Sequence, residues 1–123
     1  MNHYTDEEVK IVESGIDAIK KVLEGEDIAA KQRLMSYLDW LMDPFHKQDI
    51  SKVEEPLIEL LQTLIITPGD DDVAGDAIHL LSAYTVGPYD ILKAEYKNLP
   101  ETFKPDVLYL FSEEHRNFVE SMK

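Results

Sequence analysis

The segment from Val53 to Thr85 constrains the fold most, because it has the pattern of two antiparallel helices joined by a tight acidic turn. Pro56 lies early in the first predicted helix, where a missing backbone N–H costs least. Thr67-Pro68-Gly69 ends that helix, and Asp70-Asp71-Asp72 begins the next, where a carboxylate can cap free N–H groups. Each helix has an apolar stripe at helical spacing, which predicts that the two helices pack together. The stripe residues are Leu57, Leu60, Leu61, Leu64 and Ile65, then Val73, Ala77, Leu80, Leu81 and Tyr84.

The same segment resembles a HEAT-type helical repeat. The resemblance lies in a proline followed by Leu-Ile-x-Leu-Leu, a loop with Pro and Asp, and then Asp-Val-x-x-x-Ala-x-x-Leu-Leu. It covers about a quarter of the chain. Because such repeats are binding scaffolds, the resemblance implies a binding protein rather than an enzyme.

The whole chain, residues 1–123, is expected to be one all-α domain of about six helices in three antiparallel pairs. Thr5 and Glu8 form a capping-box pattern before a first helix from Asp6 to Leu23. The second helix is predicted from Asp27 to Met42, the fifth from Pro88 to about Lys97, and the sixth from Asp106 to Ser121. Spacing of the pairs by roughly 40 residues suits a short HEAT-like solenoid, with an irregular helical bundle as the alternative.

Apolar stripes also predict the buried faces of these outer helices. The expected buried residues are Val9, Val12, Ile16, Ile19 and Leu23 in the first; Ile28, Leu34, Leu38, Leu41 and Met42 in the second; Ile91, Leu92 and Tyr96 in the fifth; and Leu108, Phe111, His115, Phe118 and Met122 in the sixth.

The composition indicates a soluble cytoplasmic protein. The chain has no cysteine, and no apolar run approaches the ~20 residues of a membrane span. Its first residues, MNHYTDEEVK, lack the basic start and apolar stretch of a signal peptide.

The charge indicates the kind of partner. Twenty-five acidic residues against twelve basic ones give a net charge of −13. Binding to nucleic acid is disfavoured, because contact with phosphates requires clustered Lys and Arg. A negative surface instead attracts basic proteins and accelerates their association. The alternative is that the charge serves solubility alone.

No catalytic residue, cofactor or metal site is predicted. His3, His46, His79 and His115 are scattered, without the i, i+4 spacing of a zinc site. The Asp70–Asp72 run fails the calcium-loop pattern, because Ala74 and Leu81 occupy ligand positions, so helix capping is the preferred interpretation.

Binding is the better-supported function. In a HEAT-like stack the second helix of each pair lines one surface, so polar residues there are the expected contacts. Aromatic Tyr37, Trp40 and Tyr84 lie at the stripe margins, where they either join the core or contact a partner. The predicted partner-binding residues are Asp39, Asp43, Asp72, Asp76, Tyr84, Tyr109 and Glu113.

In size, charge and helical content the chain resembles the small acidic immunity proteins of bacteria. This resemblance implies a cytosolic inhibitor that covers the active site of a basic toxin, in the simplest case a nuclease. Two other classes remain open: a HEAT-like protein-interaction adaptor, and a small metal-dependent enzyme with ligands from dispersed Asp, Glu and His.

Overall fold

A computed structural model describes residues 4–67 and 70–121, and within these ranges the chain forms α-helices and no β-strand. The all-α prediction is confirmed. None of the helices in this described part is long and apolar enough to cross a bilayer. The helices are α1 (Asp6–Glu13), α2 (Ile16–Leu23), α3 (Ile28–Met42), α4 (Glu54–Ile66), α5 (Asp71–Tyr84), α6 (Asp90–Glu95), α7 (Lys104–Leu110) and α8 (Glu113–Glu120), with 3₁₀ turns at Pro44–His46 and Tyr96–Asn98.

The chain divides into two compact units, Met1–Leu60 and Leu61–Lys123, with the boundary inside α4. In the first unit α1, α2 and α3 pack against one another, and the 3₁₀ turn at Pro44–His46 packs on α3. In the second unit α5 packs against both α7 and α8, which also contact each other. Such packing is typical of both helical bundles and helical repeats. The single domain and the HEAT-like stack stay predictions.

The first predicted helix is divided, so its continuity from Asp6 to Leu23 was wrong. The Thr5–Glu8 capping box begins α1 as predicted. The break falls at Gly15, whose φ of 105° and ψ of −177° lie in a region that essentially only glycine adopts. The Ser14 hydroxyl donates to the carbonyl oxygen of Lys10 at 2.9 Å just before the break. As a result, Ile19 and Leu23 are buried, whereas the other three predicted positions are only half-buried.

The last predicted helix is divided as well, between Leu110 and Glu113. Ser112 has extended backbone angles and its hydroxyl accepts the N–H of His115 at 3.1 Å, which makes it the N-cap of α8. The Ser112 cap therefore begins a new helix at a point where α7 would otherwise continue.

This second break changes which side chains are buried. Leu108 is 56% exposed and Phe118 is 52% exposed, so their predicted burial was wrong. Val107 and Val119 are buried instead, and among the stripe residues that the structure describes only His115 is fully buried. A continuous helical period cannot describe two helices that meet at a turn. Met122 lies outside the described residues.

The two central helices, α4 and α5, have the buried faces that their stripes predict. Every predicted stripe residue of α4 and α5 is buried except Tyr84, which is half-buried. Asp70 is the N-cap of α5 and accepts the N–H of Val73 at 3.0 Å, so the capping interpretation of the acidic run is confirmed. The predicted stop at Pro68 and Gly69 lies outside the described residues. In α3, Ile28 was wrongly assigned to the core: it follows the Asp27 cap and is 64% exposed.

Candidate functional site

The exposed face of α5 carries three aspartates and neither lysine nor arginine. Its exposed residues recur along one side of the helix at positions 71, 72, 75, 76 and 79. They are Asp71, Asp72, Gly75, Asp76 and His79. Two predicted partner-binding residues, Asp72 and Asp76, therefore share this face, one helical turn apart. Because Asp70 supplies the cap, Asp72 projects from the first turn without being needed as the cap itself.

The residues that flank α5 in the sequence add to the negative charge of this face. Between Val53 and Leu92 the chain has eight acidic residues and neither lysine nor arginine. The carboxylates of α4 and α5 therefore lie in a segment of net negative charge. The potential over such a surface attracts a cationic partner over a distance of about one Debye length, roughly 8 Å at physiological ionic strength.

Gly75 leaves a gap in the middle of the acidic face. A Cβ atom added at this position would meet nothing within 4 Å, and its φ is not in the left-handed region. Glycine inside a helix costs about 1 kcal/mol relative to alanine. No packing contact in the described chain accounts for that cost. A glycine here allows another molecule to approach the helix backbone closely.

Tyr109 and Glu113 lie on either side of the turn that joins α7 to α8. The Ser112 hydroxyl in this turn donates to the carbonyl oxygen of Tyr109 at 2.6 Å. Tyr109 is 38% exposed, and its ring lies 5.3 Å from that of His115. Since His115 contacts the backbone of Ser82, this turn is near the C-terminal end of α5.

The predicted partner-binding residues of the second unit form two groups, one at each end of α5. Tyr84 ends α5 and is half-buried. At about 1.5 Å per residue, Asp72 and Tyr84 are roughly 18 Å apart along the helix axis. The acidic pair Asp72 and Asp76 therefore belongs to one end of α5, and Tyr84, Tyr109 and Glu113 belong to the other.

Asp39 and Asp43 belong to the first unit and are both only partly exposed on α3. Asp43 is the C-cap residue of α3 and also begins the following 3₁₀ turn, where its Oδ1 accepts the N–H of Phe45 at 2.9 Å. Asp43 is therefore partly structural. That these two aspartates join the other five residues in one surface stays a prediction.

A row of aromatic rings, the aromatic ladder, lies beside these aspartates. It consists of Tyr4, Tyr37, Trp40, His46 and Phe45, and each ring contacts the next. Centroid separations along the row are 4.7, 6.1, 4.4 and 5.6 Å. From Tyr37 onward burial decreases along the row: Tyr37 is buried, Trp40 is half-buried, and Phe45 is 84% exposed.

The sequence analysis ended the second helix at Met42, assigned no role to Phe45, and so missed the exposed end of this ladder. The signal was present in Asp43-Pro44-Phe45-His46: a capping aspartate followed by a proline at the first position of a turn. Such a turn fixes the direction of the residues that follow it. Two aromatic side chains directly after it were a reason to expect a displayed surface.

A buried polar cluster lies behind the α7–α8 turn. His115 is fully buried, and its Nε2 donates to the carbonyl oxygen of Ser82 at 3.0 Å. In the described chain its Nδ1 has no hydrogen-bond partner. The hydroxyls of Tyr89 and Thr85 lie 2.7 Å apart, and that of Thr85 donates to the carbonyl oxygen of Leu81. Burial raises the pKa of Tyr89 to about 12, although the Thr85 hydroxyl and the charge of Arg116 oppose that rise. The cluster packs α5 against α8 and is closed to solvent.

Glu8 is the buried carboxylate of the first unit. It is 1% exposed; its Oε1 accepts both the backbone N–H and the hydroxyl of Thr5 at 2.8 Å, and Arg33 Nε lies 3.4 Å from its Oε2. Burial raises the pKa of Glu8, but the hydrogen bonds from Thr5 and Arg33 outweigh burial, so the net pKa is below its ordinary value. Glu8 therefore joins α1 to α3 as a charged group.

Within residues 4–67 and 70–121, no three histidine, aspartate or glutamate side chains converge in a way that could hold a metal ion. No protein-family model, curated protein or solved structure matches the chain, so its function has to be inferred from its own residues.

Proposed function

We propose that this chain is a cytoplasmic immunity protein, or antitoxin, that binds a basic toxin domain and covers its active site. The toxin that best fits is a nuclease, because an active site that binds phosphates is itself positively charged. The observation that carries the proposal is the acidic face of α5, where Asp71, Asp72 and Asp76 are exposed and neither lysine nor arginine occurs. No chemistry by this chain is required, since occupying the cleft excludes nucleic acid.

The gap at Gly75 supports a protein partner rather than a purely solubilising charge. Solubility requires dispersed charge, and it would be served equally well by alanine at this position. A basic side chain or backbone segment that lies over Gly75 can reach Asp72 and Asp76 together. Charge would then accelerate association, and close packing over the glycine would slow dissociation.

A HEAT-like adaptor is the second candidate function, and a different observation favours it. Leu108, Tyr109 and Phe118 are exposed on α7 and α8. An adaptor that recognises an amphipathic helix would use such apolar side chains, and its binding would depend little on salt.

The proposal is tested with a basic nuclease domain encoded next to this chain. Purified protein at one molar equivalent should abolish nuclease activity. Asp72→Asn with Asp76→Asn should slow association and flatten its dependence on salt. Glu24→Gln with Glu26→Gln is the matched control, because it removes the same charge from exposed positions in the first unit. A nuclease that stays fully active in excess protein contradicts the proposal.

Gly75→Gln separates a binding defect from a folding defect. Glutamine is a better helix former than glycine by about 0.5–1 kcal/mol, and open space surrounds the position, so the variant should unfold at a higher temperature. Its side chain would fill the gap and weaken the complex with the nuclease. A variant that is both more stable and unimpaired in binding would show that the partner does not cover Gly75.

A further inference from the structure

We propose that the exposed end of the aromatic ladder, Phe45 with His46 and Trp40, binds an arginine side chain of a basic protein partner. This inference rests on the proposed function for the existence of such a partner. It adds a second contact, in the first unit, with a different chemistry from the acidic face of α5. The occupant is an arginine-bearing protein segment, and the guanidinium would stack on the ring of Phe45.

Phe45 is held in its exposed position by the turn that carries it. The Asp43 side chain accepts its N–H at 2.9 Å, and the next two N–H groups donate to the carbonyl oxygens of Asp43 and Pro44, both at 3.1 Å. Lys47 then leaves the turn in a left-handed conformation, with φ of 52°. A ring on a fixed turn loses little conformational entropy when it binds.

Neighbouring rings restrict Phe45 further. The ring of His46 stacks on Trp40 with centroids 4.4 Å apart and planes 20° apart, and Phe45 meets His46 edge-on at 5.6 Å. The Nδ1 of His46 donates to the carbonyl oxygen of Trp40 at 2.7 Å. Leaving a phenylalanine in water forgoes the free energy that burial of its ring would contribute to folding. An exposed aromatic side chain on a hydrogen-bonded turn is suited to anchor a partner, because large aromatic residues are enriched at interfaces.

The surrounding charge selects a cation. From Asp39 to Asp49 the chain has three aspartates and one lysine, and residues 1–60 have fourteen acidic and seven basic side chains. Aromatic rings also stack with nucleic acid bases, but this negative field repels a phosphate backbone. Arginine fits better than lysine, because its planar guanidinium stacks on a ring while its N–H groups donate to carboxylates.

Tryptophan fluorescence can test the inference directly, because Trp40 is the one tryptophan of the chain. The probes are acetylated, amidated hexa-arginine and hexa-lysine peptides, titrated into the whole protein at low salt. Hexa-arginine should change the Trp40 emission and bind about five- to tenfold more tightly than hexa-lysine, in line with stacking of a cation on an aromatic ring.

Phe45→Ala should weaken hexa-arginine binding about tenfold and remove its preference over hexa-lysine. Ile28→Ala is the matched control, since Ile28 is also exposed and apolar but lies at the other end of α3. Unfolding curves should be unchanged for both variants. Asp72→Asn with Asp76→Asn should affect the Trp40 signal less than Phe45→Ala does.

Two results would overturn the inference: equal binding of the two peptides, or full retention of hexa-arginine binding by Phe45→Ala. Neither would affect the proposed function, which depends on nuclease inhibition. The reverse outcome is also distinguishable. If the protein binds hexa-arginine through Phe45 but leaves the nuclease active, the arginine site is supported and the immunity function is contradicted.

Discussion

The imidazole of His46 lies nearly parallel to the indole of Trp40, and its Nδ1 donates a hydrogen bond to the carbonyl oxygen of that same tryptophan. One residue thereby contacts both the side chain and the backbone of another, six positions earlier in the chain. This double contact attaches the 3₁₀ turn at Pro44–His46 to the end of α3. It therefore fixes the backbone from which the exposed Phe45 side chain projects.

We expect His46→Ala to loosen this turn without unfolding the protein. An aromatic pair and a hydrogen bond each contribute about 0.5–1.5 kcal/mol, so the free energy of unfolding should fall by about 1–3 kcal/mol. Quenching of Trp40 fluorescence by acrylamide should increase, because one face of the indole loses its cover. His79→Ala, which changes an exposed histidine of α5, should leave quenching at the wild-type level. Equal quenching in both variants would contradict the stack.

Two glycine substitutions should have opposite effects on stability. Gly15→Ala places a Cβ where φ is 105°, and should destabilise the protein by about 1–3 kcal/mol. Gly75→Ala should stabilise it by about 1 kcal/mol, because Gly75 is helical and surrounded by open space. Urea unfolding measured on both variants is the check. A neutral or stabilising Gly15→Ala would mean that α1 and α2 can join into one helix.

Acid should destabilise the protein partly through Glu8. Its pKa in the folded state is below the ordinary value of 4.5, so the stabilisation is complete above pH 4.5 and is lost as pH falls through the folded-state pKa. Unfolding free energies of Glu8→Gln should therefore be lower than wild type at neutral pH and approach it in acid. Glu7→Gln leaves the contacts of Glu8 with Thr5 and Arg33 in place, so this variant should lose as much stability in acid as wild type does. If the free energies of unfolding of wild type and Glu8→Gln declined in parallel as the pH falls, Glu8 would not contribute to the loss of stability in acid.

Alkali should destabilise the protein through Tyr89. Its pKa is about 12 in the folded state against an ordinary 10.0, so the unfolded chain releases the phenolic proton first. Stability from this group is complete below about pH 10 and declines as pH rises toward 12. Denaturant unfolding at successive pH values should show this decline in wild type and a smaller one in Tyr89→Phe. Tyr109→Phe, at an exposed ring, serves as the control and should follow wild type.

The accuracy of sequence prediction differed along the chain for physical reasons. Periodicity located α4 and α5 well, because Leu57, Leu61, Ala77 and Leu81 are all fully buried and the helices are uninterrupted. Asp70 and Thr5 were also recognised as caps, since side-chain capping depends on local sequence alone.

Prediction failed where one residue ends a helix within an apolar stripe. Gly15 and Ser112 can each also lie inside a helix, so the apolar period does not distinguish a continuing helix from the breaks that occur at these residues. The consequence at Ser112 was large, because a break changes the phase of the stripe and exposes Leu108 and Phe118.

The candidate site was only partly predictable. Asp72 and Asp76 could be placed on one helix face from their spacing, and the structure has them there. The grouping of Tyr84, Tyr109 and Glu113 depends on the contact of His115 with Ser82, which joins residues 33 positions apart. Phe45 was missed because exposure of a large apolar side chain is contrary to the rule by which core residues are assigned.

The absence of lysine and arginine between Val53 and Leu92 also determines how the molecule can be handled. Amine-reactive dyes and supports attach only outside this segment, so the protein can be labelled or immobilised while α5 remains chemically unmodified. Trypsin, which cleaves after basic residues, would release α4 and α5 together in one long peptide from Val53 to Lys93. Footprinting of α5 by mass spectrometry would need a protease that cleaves at acidic residues. The same segment offers no side-chain amine to lysine acetylation or ubiquitination.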